Sequence, residues 1–185
     1  RTWLTCYGVL DMQAALGDVL VGERARSANA ETSHRFVRPV AATGVFATLL
    51  EELDWAHSFI AGGFVVRLLG EVAADDPAWG TSDLDIWSRG SGAADVVCAQ
   101  VERWGFGLCG AGGFTKLECS LVTKYSACDG SWAVDVIRLD PANTPQLTVD
   151  TFDIPLCRMH ATVSEGSVEI VVSPTFLRSK VYHCP

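Results

Sequence analysis

The chain has 185 residues, enough for one ordinary domain with a substantial core. Hydrophobic residues make up 49% and charged residues 19%, which excludes a disordered chain and points to a globular one. The net charge is −8 and the sequence pI about 4.9. The chain thus lacks overall the basic character that favours long nucleic acid as a partner, although carboxylates holding a divalent ion can still face a triphosphate.

Mean hydropathy is +0.22, yet the apolar stretches are short and broken by charge, as residues 59–69 are by Arg67. No membrane span and no membrane partner are expected. The seven cysteines, at 6, 98, 109, 119, 128, 157 and 184, contain no Cys-x-x-Cys pair. They read as reduced, mostly buried thiols of a cytoplasmic protein. The chain starts at Arg1 rather than Met, which reads as processing, trimming, or a piece of a longer chain or assembly.

Taken in order, residues 10–21 carry apolar side chains at helical intervals (Leu10, Ala14, Leu16, Leu20) and predict a first helix. Residues 24–38 are polar and read as a loop or arm. Residues 1–44 are thus expected to be an N-terminal helix and arm, and 45–185 a single globular unit. Val45, Phe46, Leu49, Leu50 and Leu53 repeat with a helical period that should end near Asp54. Phe59-Ile60-Ala61 predicts a short strand running into Gly62-Gly63, with a helix over 64–70 and an acidic loop over 71–81.

Residues 82–88 predict a strand, with Asp83, Asp85 and Trp87 on one face and Leu84 and Ile86 on the other. Ser91 caps a helix through Trp104, striped by Ala94, Val97 and Val101. A glycine-rich loop is expected over 105–113. Residues 117–125 and 131–139 read as a hairpin about Asp129-Gly130. Thr144-Pro145 starts a helix. Residues 154–163 and 168–172 read as strands joined by Glu165-Gly166, and Ser173-Pro174 opens a last short helix. The sum is an α/β or α+β domain.

Three features carry chemistry. Asp83 and Asp85, two apart on a strand, project from one face, and such close like charges call for a cation or for a solvated strand end. Gly62-Gly63, between a strand and a helix, can turn bare backbone N–H groups toward phosphates, or simply make a tight turn. Asp135 stands alone in the apolar run Trp132-Ala133-Val134-Asp135-Val136-Ile137 and must meet a metal, or an Arg or Lys. Arg67, Lys116, Lys124 and Arg138 are the cations that could face phosphates, and each reads first as a surface or ion-pair residue. The four histidines share no ligand spacing, and Gly110–Lys116 lacks the ending of a phosphate loop.

Together, Gly62-Gly63, Asp83-Leu84-Asp85 and Asp135 resemble the pattern of the DNA polymerase beta-like nucleotidyltransferase superfamily. The wording AGGFVVRLLG…SDLDIW, with FDIPLCRM further on, looks most like nucleotidyltransferase-like proteins of large DNA viruses and microbial eukaryotes. The resemblance covers about residues 45–163. It implies a mixed β-sheet flanked by helices and a Mg²⁺- or Mn²⁺-dependent transfer of a nucleoside monophosphate from a nucleoside triphosphate. The acceptor would carry a hydroxyl or similar group, on an RNA end, a small molecule or a protein. Gly62, Gly63 and Ser82 would bind the nucleotide. Asp83 and Asp85 would hold the metals, and Asp135 would bind the catalytic one and help activate the acceptor. The chain departs from the pattern in the 19 residues between Gly63 and Asp83, and in Gly63 where Ser is common. The alternative is a catalytically silent domain of this type, serving as a structural or interaction module.

Overall fold

A computed structural model describes residues 34–69, 83–109, 113–154 and 157–173. The expected helix over 10–21, the loop over 71–81 and the helix from Pro174 lie outside the described residues, as does Ser82. The architecture is a mixed α+β fold. Eight strands form one sheet: β1 (His34–Pro39), β2 (Ser58–Ala61), β3 (Asp83–Arg89), β4 (Phe114–Glu118), β5 (Val122–Ala127), β6 (Ala133–Leu139), β7 (Met159–Ser164) and β8 (Ser167–Val172). Their spatial order is β1-β8-β7-β2-β3-β6-β5-β4. Among the described strands only the β3–β6 pair is parallel. The crossover that parallel pairing demands is supplied by a long helix after β3.

Four α-helices are described: α1 (Ala47–Glu52), α2 (Gly63–Leu69), α3 (Ser91–Cys109) and α4 (Pro145–Asp150), with a 3-10 segment Val40–Phe46 leading into α1. The main core lies on one side of the sheet. Leu84 and Ile86 of β3, Val134 and Val136 of β6 and Ile60 of β2 are fully buried there. Helix α3 brings its predicted stripe, Ala94, Val97, Val101 and Trp104, against β3, β5 and β6. Phe46 stacks on Trp104 and meets Phe64 edge-on, and Trp104 meets Trp132 with centroids 4.8 Å apart. A smaller cluster occupies the opposite side, where Val149 of α4 packs with Phe59 and Ala61, against Trp87, Leu139 and Phe152.

Several expectations are corrected. Residues 34–39, read as the end of a polar arm, form edge strand β1, paired with β8 from His34↔Val172 to Pro39↔Ser167. One apolar side chain per face is enough at an edge, so the run carries little hydrophobic signal. The glycine-rich loop expected from 105 starts later, because α3 continues to Cys109. Gly105 is buried there, and a Cβ on it would stand 3.1 Å from the Trp132 ring and 3.2 Å from Phe114. That glycine admits aromatic rings rather than breaking the helix. The expected strand over 117–125 contains a turn, closed by Cys119 N donating to Val122 O at 2.8 Å, so it splits between β4 and β5. The strand expected from 154 begins at Met159. The hairpin about Asp129-Gly130 and the Thr144-capped helix form as expected.

The thiols also differ from expectation. Of the five described cysteines, all unpaired, Cys98 is buried, Cys109 and Cys157 are half-buried, and Cys119 and Cys128 are exposed. The last two follow the final residues of β4 and β5, where the chain turns through solvent. Among the described residues no helix is long and apolar enough to cross a membrane.

Candidate functional site

The three aspartates reach one place through sheet register. On β3, Asp83 and Asp85 alternate with buried Leu84 and Ile86, so both carboxylates point away from the main core. β6 runs parallel beside β3, and the pairing sets Asp135 directly opposite Asp85. On the other flank Ala61 of β2 faces Asp85, and His160 of β7 faces Ala61. On the far side of Asp135 stands Lys124 of β5. Directly paired residues share a face of a sheet, about 5 Å apart. His160, Ala61, Asp85, Asp135 and Lys124 therefore form one row on the side that α4 only partly covers.

Gly62 completes the centre of that row. Its φ is +91°, a left-handed backbone that β-carbon-bearing residues avoid. A Cβ there would stand 2.6 Å from Asp85 Oδ2. Glycine is thus required twice, once by the turn from β2 into α2 and once by the carboxylate beside it. Gly63 differs, because a Cβ on it would meet no atom within 4 Å. Open space lies over the start of α2.

The electrostatics follow from this crowding. Burial pushes the Asp85 carboxyl up from 3.8 to about 7, and the neighbouring charges of Asp135 and Asp83 push it the same way, while Lys124 opposes them. The Lys124 ammonium donates to Asp135 Oδ2, and that hydrogen bond raises the lysine's own pKa. The Asp135 side chain is 15% exposed and that of Lys124 52%. The Cys157 thiol is raised by burial first, then by the nearby charges of Asp85 and Asp153. Burial lowers His160 to about 4, so the ring is neutral at pH 7.

Below the carboxylates on the same face lies an aromatic floor. Phe59 stacks on Trp87 with planes 12° apart, Trp87 leans on Phe152 at 5.5 Å, and His160 meets Phe59 edge-on. Trp87 Nε1 and His160 Nδ1 are buried among the described residues without a hydrogen-bond partner.

Asp83, Asp85, Asp135 and Gly62 are thus brought together, with Gly63 next to them at the head of α2, whereas Ser82 lies outside the described residues. Carboxylate oxygens are the ligand class that Mg²⁺ and Mn²⁺ prefer, and Asp85 is short of positive charge, so the donor set fits such an ion. As the side chains stand, no three acidic, His or Cys groups among the described residues converge tightly enough to hold a metal. The cation at Asp135 is Lys124. Its place was legible only as one of two outcomes for a lone charge in an apolar strand, since choosing the partner requires the β5–β6 register. His160 and Cys157 carried no signal in spacing at all. No protein-family model and no curated protein matches the chain, so the residues themselves carry the functional argument.

Proposed function

We propose that the chain is a nucleotidyltransferase-type domain that uses Mg²⁺ or Mn²⁺ to move a nucleoside monophosphate from a nucleoside triphosphate to a hydroxyl-type acceptor. The observation that carries this reading is Asp85 opposite Asp135 on parallel neighbouring strands, with Asp83 on the same face and Gly62 against the Asp85 carboxylate. It matches the motif order on which the sequence resembles the DNA polymerase beta-like superfamily. A divalent ion would neutralise triphosphate charge and make the acceptor hydroxyl more acidic.

In this reading Asp83 and Asp85 hold the ion on the phosphates, and Asp85 gives up its proton to do so. Asp135, on the next strand, orients the ion that serves the acceptor. The room over Gly63 admits the phosphate chain. The acceptor oxygen bonds to the α-phosphorus as the bond to the bridging oxygen breaks, pyrophosphate leaves, and the hydroxyl proton passes to solvent. An RNA end, a small molecule and a protein side chain all satisfy this chemistry, and a cytoplasmic setting suits the unpaired thiols among the described residues.

One observation favours a second reading, a silent module of the same type. Lys124 already satisfies Asp135, as a purely structural ion pair would. Incubation with Mn²⁺ and labelled nucleoside triphosphates separates the two. The enzyme releases pyrophosphate and labels an acceptor, and Asp135→Asn loses turnover while keeping triphosphate binding, because that interaction is realised mainly in the transition state. A protein that neither binds triphosphates nor releases pyrophosphate is the silent module.

A further inference from the structure

We propose that Lys124 is the internal counter-ion of this carboxylate site, seated on Asp135 in the metal-free protein and exchanged for the divalent ion on loading. The inference rests on the metal-site reading above and concerns how that site is kept assembled and how its affinity is set.

The geometry separates Lys124 from an ordinary surface ion pair. It stands directly across from Asp135, which stands directly across from Asp85, so its ammonium enters the same row as the metal-site carboxylates. The two partners are unequal: the Asp135 side chain is mostly enclosed by the sheet, while more than half of the Lys124 side chain is in solvent. The carboxylate is held in place and the ammonium can leave. A lysine stem has four rotatable carbons and a point charge, so departure costs few directed contacts. Arg138 on β6 shows the opposite arrangement. Its guanidinium lies on the other face, 18% exposed, and is shared among Thr123, Asp95 and Glu118. Among the described residues the Lys124 ammonium bonds to Asp135 alone. Of these two described cations, Arg138 is firmly anchored and Lys124 is releasable.

Charge gives the exchange its direction. Asp83, Asp85 and Asp135 can together carry three negative charges, of which one ammonium offsets one. A divalent ion offsets two and accepts several oxygens at once, so it displaces the ammonium, while the ammonium limits how tightly it binds. Without metal, Lys124 keeps Asp135 oriented and prevents mutual repulsion from opening the β3–β6 edge of the site.

Titration of the full chain with Mn²⁺ alone at pH 8, by calorimetry and by the spin signal of free Mn²⁺, tests this. Lys124→Gln is expected to bind Mn²⁺ about tenfold more tightly than wild type, as removal of a competing cation requires, and to melt at a lower temperature without metal. Lys124→Arg is expected to restore weaker binding. A measurement on the unmodified protein guards against a variant that fails to fold: amine-selective labelling read by mass spectrometry should modify Lys124 faster at saturating Mg²⁺ than without it. Wild-type binding of Mn²⁺ with equal or weaker binding by Lys124→Gln, or labelling of Lys124 that ignores metal, overturns the exchange and leaves the metal site standing. Absence of Mn²⁺ binding in both proteins takes down the metal site and the exchange together.

Discussion

Asp85 sits in an environment unlike that of an ordinary, solvated aspartate. Its carboxyl titrates near 7 in the fold against 3.8 ordinarily, chiefly because it is buried and then because Asp135 and Asp83 lie near it. Between those values the folded state holds a proton the unfolded chain has released. The contribution of this group is therefore full below about pH 4 and is lost as pH rises through 7. Asp85→Asn should flatten that part of the stability profile and make the metal-free protein more stable at pH 8, by roughly 1–3 kcal/mol. Thermal melts of both proteins from pH 4 to 8 check this, and a variant less stable at pH 8 would mark Asp85 as a structural acceptor. The two glycines should separate in the same way. Gly62→Ala meets both a positive φ and the Asp85 carboxylate, and should cost about 1–3 kcal/mol. Gly63→Ala meets open space in a helix, so its melting temperature should hold or rise slightly, by up to ~1 kcal/mol equivalent. If phosphates pass over Gly63, that variant keeps its fold and loses triphosphate affinity in a direct titration.

At the scale of elements, the short helix α4 matters more than its six residues suggest. Its Val149 closes the small cluster with Phe59 and Ala61, directly below the row of site residues. Six residues do not make a stable helix alone, so α4 depends on that packing and on its cap. Thr144 provides the cap, its hydroxyl accepting from Leu147 N at 3.2 Å with Pro145 in the first turn. Thr144→Ala should cost about 1 kcal/mol and loosen the Phe59–Trp87–Phe152 stack, read as a red shift and quenching change in tryptophan fluorescence. An unchanged melting temperature would show that burial of Val149 alone holds α4. The cap was legible in the dipeptide Thr144-Pro145. The extent of α3 was not, because Gly105 looks like a breaker until Trp132 and Phe114 are placed against it.

For the whole molecule, the sheet sets a gradient of stability. β2, β3 and β6 lie in the interior of the order, with the main core on one side and the Phe59 cluster on the other, whereas β1 and β4 are edges. β4 is exposed along nearly its full length. Amide exchange should be slowest at Ile60, Leu84, Ile86, Val134 and Val136, and fastest in β4. Protection of β4 equal to that of β3 would mean that another chain covers this edge in solution. The burial of Leu84 and Val134 that should slow exchange also keeps Asp85 and Asp135 opposed across β3 and β6.

How much was legible follows from where each signal resides. Local patterns sufficed for the alternation that puts Asp83 and Asp85 on one face, the helical stripe of α3, the hairpin at Asp129-Gly130 and the turn at Gly62, because each is set by neighbours within a few residues. The lone Asp135 advertised that it needed a partner, since an unpaired charge in an apolar strand is costly wherever the strand lies. Which partner it has, and that Asp85 stands between Ala61 and Asp135, depends on the register of β2, β3, β5 and β6, drawn from positions up to some seventy residues apart. Register is decided by burying one face of every strand at once. Only the folded sheet could therefore bring Lys124 to Asp135, raise the Asp85 carboxyl and make edge strand β1 out of a segment with almost no hydrophobic pattern.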